Sequence, residues 1–200
     1  MTAPAIAEPA LTGRQLEQIA RNVLPGAWIV ETSTPVATLL GSCVAVCLFD
    51  PALKLGGMNH FMLPEMSQRD HADADMTLSG NYAMEALLNA MLARGARKAR
   101  LTAKAFGGGA ILKGLTIGLG IGERNVAFAR EWLGRENIPI AAADLLGPWS
   151  RKVVFDPASG DVFCRRMSRE DATVDRIASQ EAAYRKALQS RPKKADIELF

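Results

Sequence analysis

A cysteine preceded by small residues and a histidine seventeen positions later are the residues of this chain best equipped for chemistry. Cys43 lies in Gly41-Ser42-Cys43, at the mouth of an apolar run, and His60 lies in Gly56-Gly57-Met58-Asn59-His60-Phe61. A neutral thiol, with a reference pKa near ~8.5, is a poor nucleophile at pH 7. An imidazole within reach can take its proton, and the two groups together suffice for nucleophilic catalysis. Small residues before the sulfur let the backbone approach a substrate, and the amides there, that of Cys43 included, are placed to hold a developing oxyanion. Loss of one such donor typically costs roughly 3 kcal/mol of barrier. Gly41, Ser42 and Asn59 are the expected supports of that subsite.

The elements that must position these groups are two apolar runs, about 37–49 and 55–63. They read as buried strands joined by a turn at Asp50-Pro51. If the two pair, residues 43 and 60 can meet. The other candidates are plainer. Cys47 and Cys164 read as small buried hydrophobes. His71, among Asp70, Asp73 and Asp75, reads as a solvated loop residue. Cys43, Cys47 and His60 offer at most three metal ligands at irregular spacing, so no metal is expected. Gly107–Gly109 and Gly118-Leu119-Gly120-Ile121-Gly122 lack the spacing of a phosphate or dinucleotide cradle and read as tight turns or close backbone packing.

Around this centre the chain alternates helical and strand-like segments, which predicts a mixed α/β fold. Thr12 caps a short helix to about Asn22, and Ala27–Val30 is a first strand. A polar loop is expected over 64–79, then a helix over 80–94 with Ala83, Met84, Leu87, Leu88, Met91 and Leu92 on its buried face. Strands follow near 99–106 and 138–143, with a helix over 123–135 between them. A hairpin is expected from Arg151–Phe155 and Asp161–Met167. Residues 168–190 read as a solvated helix with a thin stripe of Ile177, Tyr184 and Leu188.

The 200 residues are 48% hydrophobic, enough for one sizeable core. A net charge of +3 with scattered basic residues argues against nucleic acid as a partner. Three cysteines cannot make a complete disulfide framework, and no signal-like start or bilayer-length apolar run is present. A cytoplasmic protein, not embedded in a membrane, is the expectation.

Thr38-Leu39-Leu40-Gly41-Ser42-Cys43-Val44-Ala45-Val46-Cys47-Leu48-Phe49-Asp50-Pro51, with Gly56–Pro64, closely resembles the CheD family of chemoreceptor glutamine deamidases of bacterial chemotaxis. The resemblance continues through Asn81–Met84, Ala103–Gly108, Ile121–Asn125 and Arg151–Gly160, and covers about residues 27–167. It implies a single α/β domain with a β-sandwich-like core and helices packed on the outside. An N-terminal arm and short helix (1–26) would precede that domain, and a charged C-terminal helix and tail (168–200) would follow. It implies hydrolysis of glutamine side chains in methyl-accepting chemotaxis receptors, with Cys43 as nucleophile and His60 as base. The family is also known for hydrolysing receptor methyl esters. No cofactor is implied, and a CheC-type CheY phosphatase is the implied partner. A docking role in the chemotaxis circuit with weak catalysis, and a cysteine hydrolase of small-molecule amides or esters, are the alternatives. Two departures matter. The family's threonine stands six before the cysteine, where this chain has Ala37, so Thr38 is the candidate for its role. Leu146 replaces a usual glycine, which predicts a different local loop.

Overall fold

The computed structural model describes residues 11–63, 73–110, 119–167 and 173–189, and the fold is built from two sheets flanked by helices. One sheet has the order β1 (Arg21–Asn22), β3 (Val36–Leu40), β8 (Ser150–Phe155), β9 (Val162–Met167). The other has the order β2 (Trp28–Glu31), β5 (Leu55–Asn59), β4 (Val44–Asp50), β6 (Thr102–Gly107), β7 (Ile140–Leu145). The pairs β1–β3 and β6–β7 are parallel and the remaining pairs antiparallel.

Period-two alternation along β4 shows why its sequence is apolar from Val44 to Phe49. Ala45 and Cys47 face the other sheet, in a cluster with Val36, Leu40, Val153 and Phe155. Val44, Val46 and Leu48 face the opposite way, against Met84, Leu87 and Met91 of α2 (Asp73–Ala93) and Val126, Ala129 and Leu133 of α3 (Leu119–Arg135). A strand covered on both faces has no polar side to show. The helix α1 (Gly13–Ile19) covers the outer face of the first sheet, where Leu16 meets Ala37 and Val154. Thr12 caps it, with Gln15 completing a reciprocal capping box.

Several boundaries differ from the expected ones. The run 37–49 is two strands in two different sheets, because the chain crosses between them at Gly41-Ser42-Cys43. α1 ends at Ile19, and Arg21–Asn22 pairs with β3 instead of continuing the helix. The loop expected over 64–79 is helical from Asp73 onward, and Leu92 on that helix is exposed. α3 starts at Leu119, so Gly120 and Gly122 lie within its first turns. His71 and Gly118 lie outside the described residues. The 151–167 hairpin forms as expected.

Candidate active site

The crossing at 41–43 makes the site. Its carbonyls are tied to the triple glycine that ends β6: Gly108 N–H donates to Cys43 O at 2.8 Å and Gly109 N–H to Gly41 O at 2.6 Å. Gly107 has φ +114, and a Cβ there would lie 2.1 Å from the Cys43 carbonyl oxygen. This is the close backbone packing expected of that cluster. The third carbonyl, that of Ser42, accepts from Asn125 Nδ2 at 2.8 Å, while Asn125 Oδ1 accepts from Leu63 N–H at 2.8 Å. Asn125 is fully buried on α3 and thus ties the crossing to the end of the β5 segment.

Pairing of β4 with β5 brings the histidine to the cysteine. The ladder runs from Asp50↔Leu55 to Cys47↔Met58 and resumes at Val44↔Phe61. In that register residue 43 stands opposite 62, so His60 is its diagonal neighbour on the same face. The Cys43 sulfur, a His60 ring nitrogen and a carboxylate oxygen of Glu181 all lie within 4.8 Å of one another.

Thr38 on β3 reaches the ring from the other sheet. Its Oγ1 lies 2.8 Å from His60 Nδ1 and donates its own proton to the Val23 carbonyl at 2.7 Å. That carbonyl also lies 3.5 Å from Nδ1. A carbonyl only accepts, and the hydroxyl proton is already committed, so Nδ1 carries hydrogen and donates to Thr38 Oγ1. The bare lone pair is therefore on Nε2, which is buried with no hydrogen-bond partner among the described residues. Ala37 points away toward Leu16 and Val154, as strand alternation requires.

The backbone amides at the crossing converge on one carboxylate. Glu181, on α4 (Thr173–Gln189), accepts at Oε1 from Gly41 N–H (2.9 Å) and Cys43 N–H (3.0 Å). Its Oε2 accepts from Ser42 N–H (3.0 Å) and Ser42 Oγ–H (2.7 Å). Burial raises the Cys43 thiol well above its ordinary range, and the Glu181 charge beside it adds to the rise. Burial also pulls His60 down to about 4. The pair is thus neutral thiol and neutral imidazole in this arrangement.

Asn59, expected beside the amides, is occupied elsewhere. Its Oδ1 accepts from Val46 N–H at 2.9 Å, and its Nδ2 donates to Ala83 O at 3.1 Å and contacts the Met84 sulfur at 3.2 Å. It fastens β4 and β5 to α2. Cys47 is buried between the sheets, and Cys164 on β9 is half-buried beside Asp144. Among the described residues, Cys43, His60 and Glu181 are the one group of three with metal-ligand chemistry. Each Glu181 oxygen already takes two N–H or O–H donors, so this carboxylate is held as a guest of the amides.

Leu146 sits in the left-handed region at φ +64, followed by Gly147 at +83. Leucine takes the strained backbone, at a cost on the order of 1 kcal/mol, and its side chain packs on the core. Leu146 N–H donates to Gly107 O at 2.8 Å, so the strained turn braces the triple glycine behind Cys43.

Sequence reasoning missed Asn125 and Glu181. Asn125 had a signal, being a polar residue one position before Val126 in the buried stripe of α3. Glu181 had a fainter one: it lies four after Ile177 and three before Tyr184, on the stripe itself.

A thiol, an imidazole with its lone pair inward and three convergent amides define a two-sheet α/β protein whose interior suits acyl transfer at a carboxyl or carboxamide. The family model described as CheD chemotactic sensory transduction matches residues 62–166. A protein of Dechloromonas aromatica, "Probable chemoreceptor glutamine deamidase CheD 2", is 55% identical over 95% of this chain and 98% of its own length. "Probable chemoreceptor glutamine deamidase CheD 1" of Shewanella oneidensis is 45% identical over 94% of this chain and 90% of its own. "Probable chemoreceptor glutamine deamidase CheD" of Xanthomonas campestris pv. campestris is 46% identical over 93% and 91%. The chain belongs to the CheD family. The family-model match begins two residues after His60, whereas the relatives run through the whole site.

Proposed function

We propose that this protein hydrolyses glutamine side-chain amides of methyl-accepting chemotaxis receptors to glutamate, through a Cys43 thioester. The observation that carries the reading is the set of amides at 41–43, directed at one carboxyl group beside Cys43 and His60. His60 Nε2 takes the thiol proton, and the thiolate sulfur bonds to the carboxamide carbon. The oxyanion that forms accepts from the Gly41, Ser42 and Cys43 amides. The C–N bond then breaks as the imidazolium returns its proton to nitrogen, releasing ammonia. Water, deprotonated by His60, attacks the thioester and frees glutamate and the Cys43 thiol. Thr38 keeps the ring in the tautomer this sequence needs.

In this reading residues 27–167 carry the reaction, which occurs in the cytoplasm without metal or organic cofactor, and a CheC-type CheY phosphatase is a binding partner. No helix among the described residues is long and apolar enough to cross a membrane. The test is mass spectrometry of a receptor cytoplasmic fragment after incubation with the protein. Glutamine peptides gain about 1 Da per site as amide becomes acid, and Cys43→Ala or His60→Ala abolishes the gain. Receptor binding with no mass change would favour a docking role instead.

A further inference from the structure

The amide cradle is filled by the chain itself. Glu181 is 4% exposed, and it accepts hydrogen bonds from Gly41, Ser42 and Cys43. The rest of that helix face holds it in place. Ile177 packs with Met167 and Leu39, Tyr184 packs over Gly26 and the cluster that contains Cys43, and Leu188 is buried. Residues 177, 181, 184 and 188 form one helical stripe, so α4 presents a carboxylate from the centre of an apolar face. A carboxylate is desolvated in this way only where donors replace its water.

We propose that Glu181 occupies the subsite of the reaction's product carboxylate, making α4 an intramolecular product analogue that must leave before a substrate glutamine can enter. The inference rests on the amide-hydrolysis reading and extends it from the reaction to its control. Glutamate is the product of that reaction, and Glu181 is a glutamate side chain whose two oxygens hold the amides that an oxyanion needs. Its charge also opposes thiolate formation at Cys43, so the docked helix blocks the site and quiets the nucleophile together.

Two variants of the full chain test this. In Glu181→Gln the cradle holds a carboxamide beside Cys43, which is a substrate. Cys43 should bond to its carbon, expel ammonia and, after hydrolysis, leave glutamate at 181. The peptide bearing residue 181 should then be about 1 Da heavier than encoded, and only while Cys43 is present. A glutamine that persists at 181, in a protein that does deamidate a receptor fragment, overturns the inference and spares the reading of function. In Glu181→Ala the expected result is a rise of about tenfold or more in iodoacetamide alkylation of Cys43 at pH 7.5, with Cys47 still protected. This readout does not depend on receptor chemistry. No rise at Cys43 overturns the inference. So does a parallel rise at Cys47, which would make Glu181 a fold-holding residue. Stoichiometric zinc in the purified protein, lost in Glu181→Ala, overturns it as well, since the carboxylate would then be a ligand.

Discussion

Thr38 Oγ1 lies 2.8 Å from His60 Nδ1, so a side chain of β3 in one sheet holds the ring that follows β5 in the other. Thr38→Val removes the acceptor of the Nδ1 proton while keeping the shape. Turnover should fall by roughly tenfold or more, because the general base loses its tautomer, and Thr38→Ser should restore most of it. Equal loss in both variants would mean that the methyl group, through packing, is what matters. Steady-state kinetics of ammonia release separates the two.

Asn125 joins two buried backbone groups, the Leu63 N–H and the Ser42 carbonyl. Asn125→Leu leaves both buried without a partner, at about 1–3 kcal/mol each. A fall of several degrees in Tm is expected, together with loss of activity as the crossing at 41–43 loosens. Calorimetry and turnover on the same preparation check it, and an unchanged Tm would show that water replaces the amide.

Gly107 has no room for a side chain. Since a Cβ would lie 2.1 Å from the Cys43 carbonyl oxygen, Gly107→Ala must push β6 and the nucleophile loop apart. Its φ of +114 is also one that alanine adopts only under strain. Activity should be lost and Tm lowered, whereas Gly134→Ala, with open space around it, should leave both near wild type.

Acid stability should depend on Asp50. Its carboxyl, with a fully buried side chain, is held down to about 2 chiefly by hydrogen bonds from Arg100, against an ordinary value of 3.8. The unfolded chain therefore binds more protons than the folded one between those values. The stabilisation is complete above about pH 5 and fades as pH falls toward 2. Asp144, lowered to about 2 by Arg166 and Arg151, adds to the same slope. Arg100→Gln should lower the urea midpoint at pH 7 and flatten its decline between pH 5 and 3. An unchanged decline would assign the acid sensitivity to other groups.

Much of the site was legible because its parts are local. Cys43 with its small neighbours, and His60 on the adjoining strand, announce a reactive pair, and one hairpin register brings them together. The fold was harder to read. β3 and β4 are both buried on both faces, so alternation along 37–49 does not separate them, and Gly41-Ser42 is a faint mark of the crossing between sheets. Thr38 could be weighed only once β3 was known to face the second sheet with Thr38 inward. Glu181 was illegible because a glutamate on a charged helix reads as solvated, and only the backbone it meets, about 140 residues earlier, makes it an interior group. Leu146 could not be judged from the sequence, because a side chain at φ +64 is held there by bonds such as Leu146 N–H to Gly107 O, which only the folded loop supplies.

The choice of thiol is tested most directly by ammonia release from a receptor cytoplasmic fragment, measured side by side for Cys43→Ala, Cys47→Ala and Cys164→Ala with folding confirmed by circular dichroism. Cys43→Ala should release none, while the other two keep turnover within a few-fold of wild type. Turnover retained without the Cys43 sulfur, or lost from a folded Cys47→Ala protein, would contradict a mechanism built on Cys43.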